Sequence, residues 1–295
     1  MIIVALILLG LCLGSFVNAL VWRLRRQEEI GDQIQALETK KSSPTVKTKL
    51  QNLRATSGDF SIMTGRSMCT DCRHTLAWYD LVPVLSWAST RGRCRYCRKP
   101  ISAQYPLVEL LTAGLFLLSY FYWPVPISGA QVAVFAVWLL LVVGFMALFV
   151  YDLRWLILPN KIVFPLTGLA AVQAAIIIGT STRPLHTAAN TFMAVVVGGG
   201  IFFLLYQISG GEWIGGGDVK LGWLFGLVVA TPLRSLMVIF IAALLGTAAA
   251  LPGLIRKRLK TTSIIPFGPF LIAGIVLVEL FGASIMAWYL KLLLP

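Results

Sequence analysis

Residues 130–151, AQVAVFAVWLLLVVGFMALFVY, form a stretch with no charged side chain. A helix of about 20 apolar residues crosses the roughly 30 Å hydrocarbon core of a bilayer, where irregular backbone finds no hydrogen-bond partners in lipid. Hydrophobic residues make up 58% of this 295-residue chain and charged residues 13%, whereas soluble proteins average about 45–50% and about 25%. The composition excludes a soluble globular enzyme and predicts a membrane protein.

Seven further apolar runs flank this stretch, so we expect an all-helical, polytopic integral membrane protein with about eight transmembrane helices. The eight runs are residues 1–22, 106–123, 130–151, 162–178, 191–208, 221–233, 236–254 and 269–290. The first run has no preceding positive charge and no small-residue cleavage site, which favours an anchor over a removed signal peptide. We therefore predict a first transmembrane helix at 1–22, a cytoplasmic domain at 23–105 and a membrane core at 106–295.

The basic residues predict the orientation of these spans. All but three of the 25 lysines and arginines fall in segments that alternating spans place on one side; the exceptions are Arg183, Arg234 and Lys291. Positively charged segments face the cytoplasm, so this side is assigned to the cytoplasm. The orientation of the spans in the lipid bilayer accounts for the net charge of +13. We therefore expect no nucleic-acid partner.

Residues 27–64 form a polar, variable insertion in the predicted cytoplasmic domain. Apolar residues recur at i, i+4 and i+7 on both sides of a proline: Ile30, Ile34, Leu37, then Val46, Leu50, Leu53. This spacing is typical of two short amphipathic helices, with disorder as the alternative. No chemistry is assigned to this insertion.

Four of the five cysteines form two Cys-x-x-Cys pairs, Cys69 with Cys72 and Cys94 with Cys97, and 21 residues separate the pairs. Two thiolates in one such turn can bind a tetrahedral ion, and the second pair completes its shell without an open position. The spacing predicts a small zinc-binding cytoplasmic domain, with an iron centre or metal-free thiols as alternatives. Disulfides are disfavoured because this segment is expected in the reducing cytoplasm.

Two aspartates lie beside apolar runs: Asp152 ends the third run and Asp218 precedes the sixth. Two complete spans separate them, so we expect both carboxylates at the cytoplasmic membrane face. Two carboxylates about 3 Å apart share one proton, so that one can deprotonate a water while the other polarises a peptide carbonyl. Such a pair would hydrolyse peptides without a covalent intermediate.

The backbone before Asp218 is unusual for a membrane protein. The sixth run holds only 13 residues, about 20 Å as a helix, which is too short for a bilayer unless the preceding glycines also enter the membrane. Irregular backbone at that depth must be buried in protein or line a wet cavity. Gly215, Gly216 and Gly217 are therefore predicted to form a loop that lets an extended substrate approach Asp218 closely.

These features together resemble the bacterial prepilin peptidases, a family of membrane aspartic peptidases of the Gly-x-Gly-Asp type. Residues 215–218 and the earlier Tyr151-Asp152 resemble their catalytic motifs. The stretch LGSFVN at residues 13–18, followed by Arg23, resembles their opening motif. Residues 69–111, CTDCRHTLAWYDLVPVLSWASTRGRCRYCRKPISAQYPLVELL, resemble their cytoplasmic segment, and PFGPF at 266–270 resembles the start of their last span. The resemblance covers nearly the whole chain except residues 27–64.

The resemblance implies a function, a location and partners. The protein would remove the leader of type IV prepilins and pseudopilins at the cytoplasmic face of the bacterial plasma (inner) membrane, and would methylate the new N-terminus from S-adenosylmethionine. Asp152 and Asp218 would be the catalytic pair, and the four paired cysteines would hold structural zinc. The chain departs from the family pattern in its extended link between Arg23 and the first cysteine pair, in Arg25 in place of a proline, and in Asn160 in place of an aspartate.

Two other acids lie within apolar runs, where ionisable groups are treated as functional candidates. Glu109, about one turn into its run, is a possible methyltransferase residue or a structural one. Glu279, near mid-span, is expected to pair within the bundle or to line a wet cavity.

Other interpretations of the chain remain open at this point. Asp152 and Asp218 could be solvated interfacial ions that pair with Arg154 and Lys220. A proton-coupled membrane transporter would use the acids as a relay, although transporter sites lie near the bilayer midplane. A noncatalytic membrane scaffold would use the zinc module for docking and would not need the two aspartates.

Overall fold

A computed structural model describes residues 1–39, 44–62, 64–256 and 265–293, and the regular structure of these residues is helical, with two isolated β-bridges and no strand. The elements in chain order are α1 (Ile2–Glu38), α2 (Pro44–Asp59), a 3-10 helix (Trp78–Leu81), α3 (Leu85–Ser89), α4 (Gln104–Phe121), α5 (Ala130–Trp155), α6 (Asn160–Thr180), α7 (Pro184–Ser209), α8 (Gly216–Val229), α9 (Pro232–Ile255) and α10 (Gly268–Leu293). The predicted all-helical class is confirmed.

Each of the eight apolar runs falls on a helix. Among the described residues, six helices are long and apolar enough to cross a membrane, namely α1, α5, α6, α7, α9 and α10. The other two runs lie on α4 and α8, which are shorter, with 18 and 14 residues. The protein is thus a multi-pass membrane protein, and the predicted number of eight spans is not confirmed.

Helix α1 does not end at the predicted boundary after residue 22. It continues without a break to Glu38, because residues 23–38 contain no proline and are rich in helix-forming arginine, glutamine and glutamate. Arg25 and Arg26 both pair with Glu29 on the next turn. The first predicted amphipathic helix of the insertion is therefore the end of α1, and the second is α2; residues 40–43 between them lie outside the described residues.

Contacts divide the chain into two compact units, Met1–Leu117 and Leu118–Pro295. In the first unit, α1 and α4 pack antiparallel through small residues spaced four apart on α1. A Cβ at Gly10 would lie 2.6 Å from the Ala113 Cα, and one at Gly14 would lie 2.7 Å from the Glu109 Cα. One turn further, the Asn18 Nδ2 donates to the Tyr105 carbonyl oxygen at 3.1 Å. Residues 10–14 thus form a Gly-x-x-x-Gly contact of α1 with α4.

The second unit is a bundle of α5 to α10 in which the short helix α8 is deeply packed. A Cβ at Gly222 of α8 would lie 2.8 Å from the Gly198 carbonyl oxygen of α7, and one at Gly226 would lie 2.5 Å from the Val195 Cα. Most residues from Val219 to Val229 are buried. Burial inside the bundle explains how a helix too short for the bilayer is accommodated there, because most of its length contacts protein rather than lipid.

Candidate functional site

The first of the two predicted aspartates, Asp152, lies in the last turn of α5 and is only 5% exposed. The backbone amide of Gly268, at the beginning of α10, lies beside its carboxylate and interacts with it. A Cβ at Gly268 would lie 2.6 Å from the Asp152 Oδ2, so a side chain at this position would overlap the carboxylate. Glycine is therefore required here for the close approach of the backbone.

The second aspartate, Asp218, lies in the first turn of α8 and is half-buried. The backbone amide of Gly215, the residue that precedes the helix, interacts with its carboxylate. The partial positive charge of a helix N-terminus stabilises a nearby anion. The beginnings of α8 and α10 thus each supply a backbone donor to one carboxylate.

The structure brings the two aspartates together. Their carboxylates are close enough to repel each other electrostatically. Leu158, in the turn after α5, packs between the two glycine positions: Cβ atoms at Gly217 and Gly268 would lie 3.1 and 3.5 Å from its side chain. Although 65 positions separate the aspartates in the chain, one small region of the second unit holds both.

The basic residues beside the aspartates have other partners. The Lys220 Nζ donates to the Asn160 Oδ1 at 2.7 Å, and the Arg154 guanidinium lies 5.7 Å from the centre of the Trp155 ring. Across the described residues, no ion pair joins either aspartate to a lysine or an arginine. The alternative in which Asp152 and Asp218 are neutralised by their sequence neighbours is not supported.

The three glycines before Asp218 differ in their surroundings. Gly215 is exposed and has an extended backbone, with φ −72° and ψ 147°. At Gly216 the nearest side-chain atom to an added Cβ would be 3.9 Å away, whereas at Gly217 the Leu158 side chain would be at 3.1 Å, a tight contact. Packing therefore restricts Gly217 most, and Gly215 presents an open extended backbone beside Asp218.

The four paired cysteines converge in the first unit. Their sulfur atoms all lie within 4.8 Å of one another, and the Cys69 and Cys97 sulfurs are 3.9 Å apart. The ligands of a tetrahedral site with metal–sulfur bonds of 2.3 Å are about 3.8 Å apart. All four are free thiols rather than disulfides, so the cluster could hold a metal ion.

Two equivalent turns present these thiols, and the second repeats the first 25 residues later. In each turn, the amide of the first cysteine donates to the carbonyl oxygen five residues later, and the carbonyl oxygen of the same cysteine accepts from the amide four residues later. A β-bridge joins the two ends of each turn. Arg73 and Arg98 occupy the same left-handed position, with φ of 57° and 62°. Each Cys-x-x-Cys turn thus presents two sulfur atoms, and the two turns together form one cluster of four.

Asp80 ties the 3-10 helix to the second cysteine turn. Its carboxylate accepts hydrogen bonds from the Arg95 Nε at 2.9 Å and the Tyr96 hydroxyl at 3.0 Å, and it also accepts the Ala77 amide. Burial opposes ionisation, but these donors outweigh it and hold the pKa of Asp80 below its ordinary value. The acid therefore stays charged and anchors the module at neutral pH.

Glu109 has a structural environment. Its carboxylate accepts the Val84 backbone amide at 2.7 Å and interacts with the Ser15 hydroxyl. Val84 has φ 60°, and strained backbone of this kind costs about 1–3 kcal/mol. Glu109 therefore fixes a strained loop against α4, while Gly14 and Ser15 of the LGSFVN stretch contact Glu109 itself.

Replacement of Gly14 by alanine should destabilise the first unit. The new methyl group would meet the Glu109 backbone at 2.7 Å, and such overpacking costs about 1–3 kcal/mol. The measurement is the yield and the melting temperature of the purified protein. Gly114→Ala on α4 is the matched control, since nothing lies within 4 Å of its Cβ position; equal loss in both variants would contradict the contact.

Glu279 lies buried in α10, as expected for a residue that pairs within the bundle. Its Oε2 is 3.9 Å from an Arg234 nitrogen and has no hydrogen-bond partner among the described residues. Arg234 lies in the first turn of α9 and is half-exposed. This long ion pair belongs to the packing of α9 on α10, away from the ends of α8 and α10 that approach the two aspartates.

The fold and these sites define a class: an all-helical, multi-pass membrane protein with a four-cysteine module and a pair of interacting aspartates. A model of bacterial peptidase A24 N-terminal domains matches residues 8–123, and a model of the type IV leader peptidase family matches residues 134–251. The chain belongs to the type IV leader peptidase family.

Characterised relatives match over most of their length. A prepilin leader peptidase/N-methyltransferase of Bacillus subtilis is 34% identical over 238 residues, which is 79% of this chain and 89% of the relative. One of Burkholderia pseudomallei is 32% identical over 280 residues, 94% of this chain and 84% of the relative. A type 4 prepilin-like proteins leader peptide-processing enzyme of Escherichia coli is 36% identical over 274 residues, 90% and 88%. No solved structure matches the chain.

The sequence pattern predicted both aspartates and all four cysteines as site residues, but it predicted no role for Gly268. The only signal for this residue was the PFGPF stretch at 266–270, which was noted for its resemblance to family members. Its role is that of a backbone donor, and a backbone amide leaves no chemical signature in a sequence. The close approach to Asp152 identifies it.

Proposed function

We propose that the protein is a membrane aspartic endopeptidase that removes the leader of prepilins or pseudopilins, and that it also N-methylates the new N-terminus. Membership of the type IV leader peptidase family and the names of the relatives support both activities. The observation that carries the peptidase assignment is the convergence of Asp152 and Asp218 from different helices, each with a backbone donor.

The proposed reaction is direct hydrolysis by water. The ionised carboxylate takes a proton from water as the water oxygen bonds to the peptide carbonyl carbon, and the protonated carboxylate donates to the carbonyl oxygen. When the carbon–nitrogen bond breaks, the leaving amine takes the proton that came from water. One hydroxyl of the tetrahedral intermediate returns its proton to the other carboxylate, so that the carboxylic acid product forms and the pair again holds one proton. Gly215, exposed and extended beside Asp218, provides backbone against which an extended leader junction can lie, while the apolar helix of the pilin rests laterally against the membrane bundle.

We assign the four-cysteine cluster to structural zinc. The cluster offers four sulfur ligands and leaves no open position, which is the pattern of a structural rather than a catalytic ion. The two preformed turns favour zinc over metal-free thiols, because each already orients two sulfurs toward a common centre. The methyl donor is assigned to S-adenosylmethionine from the family, without assigned contact residues.

Removal of two ligands should remove the metal. Purified wild-type protein should contain about one zinc per chain, and Cys72→Ser combined with Cys97→Ser should lose it and destabilise the cytoplasmic module, since binding energy at a structural zinc is folding energy. Metal analysis by mass spectrometry provides the measurement. Cys12→Ser, on α1 outside the cluster, is the control that should keep its zinc; a full zinc complement in the double variant would refute the assignment.

The location is proposed from the charge distribution. The positive charge of the segments around the cysteine module and both aspartates supports a location on the cytoplasmic side of the bacterial inner membrane. A leader that is basic and precedes an apolar pilin helix would remain on that side, within reach of two aspartates at the cytoplasmic face.

The function is tested with the purified full chain in lipid nanodiscs and a prepilin-like peptide composed of a basic leader, a glycine and an apolar helix. We expect release of the leader after the glycine and addition of one methyl group to the new amine when S-adenosylmethionine is present, both read by product mass. Cleavage without methylation would refute the methyltransferase half only. An unmodified peptide would contradict the proposal and favour the transporter or scaffold.

A further inference from the structure

The segment between the two cysteine turns displays large apolar side chains that the proposed chemistry does not use. Trp78 is 78% exposed, Leu81 42% and Leu85 68%. They lie on the 3-10 helix and at the beginning of α3, within eight residues of one another. Exposed apolar groups concentrated in this way mark a surface that contacts a partner or a membrane.

The tether of this segment indicates its depth in the membrane. Val84, one residue before Leu85, donates its amide to Glu109, and the same carboxylate interacts with Ser15 of α1. Ser15 precedes Arg23, the first charged residue of α1, by eight positions, or about 12 Å along a helix. The loop is therefore held on the apolar side of Arg23, beside α1, which is long and apolar enough to cross a bilayer.

The charges of the segment fit the same depth. Residues 76–90 contain a single ionisable acid, Asp80, and no lysine or arginine. The Asp80 side chain is 8% exposed, and its carboxylate is bound by Arg95 and Tyr96. Exposed arginines follow at positions 91, 93 and 98, where they can contact anionic lipid headgroups.

We propose that Trp78, Leu81 and Leu85 insert into the interfacial layer of the bilayer and hold the cysteine module on the membrane surface. Tryptophan and leucine side chains are stabilised at this boundary because their apolar bodies leave water. Asp80 stabilises the inserted conformation from the protein side through its three hydrogen bonds. The module would then lie at the level where a pilin's apolar helix leaves the membrane. This inference depends on the membrane-embedded fold and not on the proposed enzyme activity.

The test is fluorine NMR of the full chain, labelled with fluorotryptophan and reconstituted in nanodiscs that contain anionic lipid. The resonance that disappears in Trp78→Phe is that of Trp78, and the one that disappears in Trp87→Phe is that of Trp87, a half-buried tryptophan of the same module. An unchanged Trp87 chemical shift in the Trp78→Phe protein shows that the module stays folded. Line broadening is then compared between a lipid spin-labelled near its headgroup, a lipid spin-labelled at its chain end, and an aqueous gadolinium chelate.

We expect the Trp78 resonance to lose most of its intensity with the headgroup-proximal label, to lose less with the chain-end label, and to be protected from the chelate. Strong broadening by the chelate with no response to either lipid would overturn the proposal. So would a resonance shielded from all three probes, or one that responds only to an added peptide of a pilin's apolar helix, since the surface would then belong to protein or substrate.

Discussion

Replacement of either Asp152 or Asp218 by asparagine should abolish leader cleavage while the protein still folds and inserts. An amide can neither take a proton from water nor share one with the remaining carboxylate, and the loss of acid–base catalysis costs about 10²–10⁴-fold or more in rate. The measurement is the rate of leader release from a prepilin-like peptide. Because both carboxylates act on the same water and carbonyl, the double variant should be no slower than either single variant.

Four further variants show whether this loss is specific. Glutamate at either position should restore little activity, because the added methylene displaces the carboxylate by more than positioning tolerates. Glu212→Gln removes an exposed acid from the same loop and should cleave normally. Lys220→Ala should reduce the rate only modestly, because Lys220 bonds Asn160 rather than an aspartate. A loss in Glu212→Gln equal to that in Asp218→Asn would indicate general disruption of the loop.

Replacement of Gly268 by alanine should reduce cleavage by about a hundredfold, since misplacement of a catalytic group by about 1 Å has an effect of this size. The added Cβ would lie 2.6 Å from the Asp152 Oδ2, so the carboxylate must move away and its bond to the Gly268 amide must lengthen. The measurement is kcat for leader release. Zinc content should stay at the wild-type value, since the four cysteines lie in the first unit. The melting temperature should change little, because the atom that must move is the end of a side chain rather than backbone.

Gly168→Ala on α6 is the matched control for this variant, because nothing lies within 4 Å of its Cβ position. It should retain wild-type cleavage. A Gly268→Ala protein with normal kcat would show that Asp152 does not need its backbone donor, and would contradict the role derived for the first residue of α10.

The order of the apolar runs made the helical class and the meeting of the aspartates predictable. An even number of complete spans separates Asp152 from Asp218, and parity alone returns both to one membrane face. The cysteine spacing likewise predicted a single four-sulfur cluster, because each short turn supplies two sulfur ligands and the two turns complete one site when they lie side by side. Each of these predictions depends on periodicity along the chain, which the sequence displays directly.

Features that depend on tertiary contacts could not be predicted. The continuation of α1 to Glu38 follows from helix propensity, but the charge of Arg23 had suggested a boundary there. The roles of Gly14 and Glu109 depend on how α1 packs on α4, and that of Gly268 on which carboxylate its amide reaches. In these cases the important feature is a backbone group or the small size of a glycine. Its role becomes visible only when two segments distant in the sequence are in contact.

The most direct test of the central claim is the product mass from two peptides, one with its leader and one already cleaved, each incubated with wild-type protein, Asp152→Asn and Asp218→Asn in the presence of S-adenosylmethionine. We predict that wild-type protein cleaves the first peptide, methylates its new N-terminus, and also methylates the second peptide. Both variants should leave the first peptide intact and still methylate the second. Near wild-type cleavage by either folded variant would contradict the account.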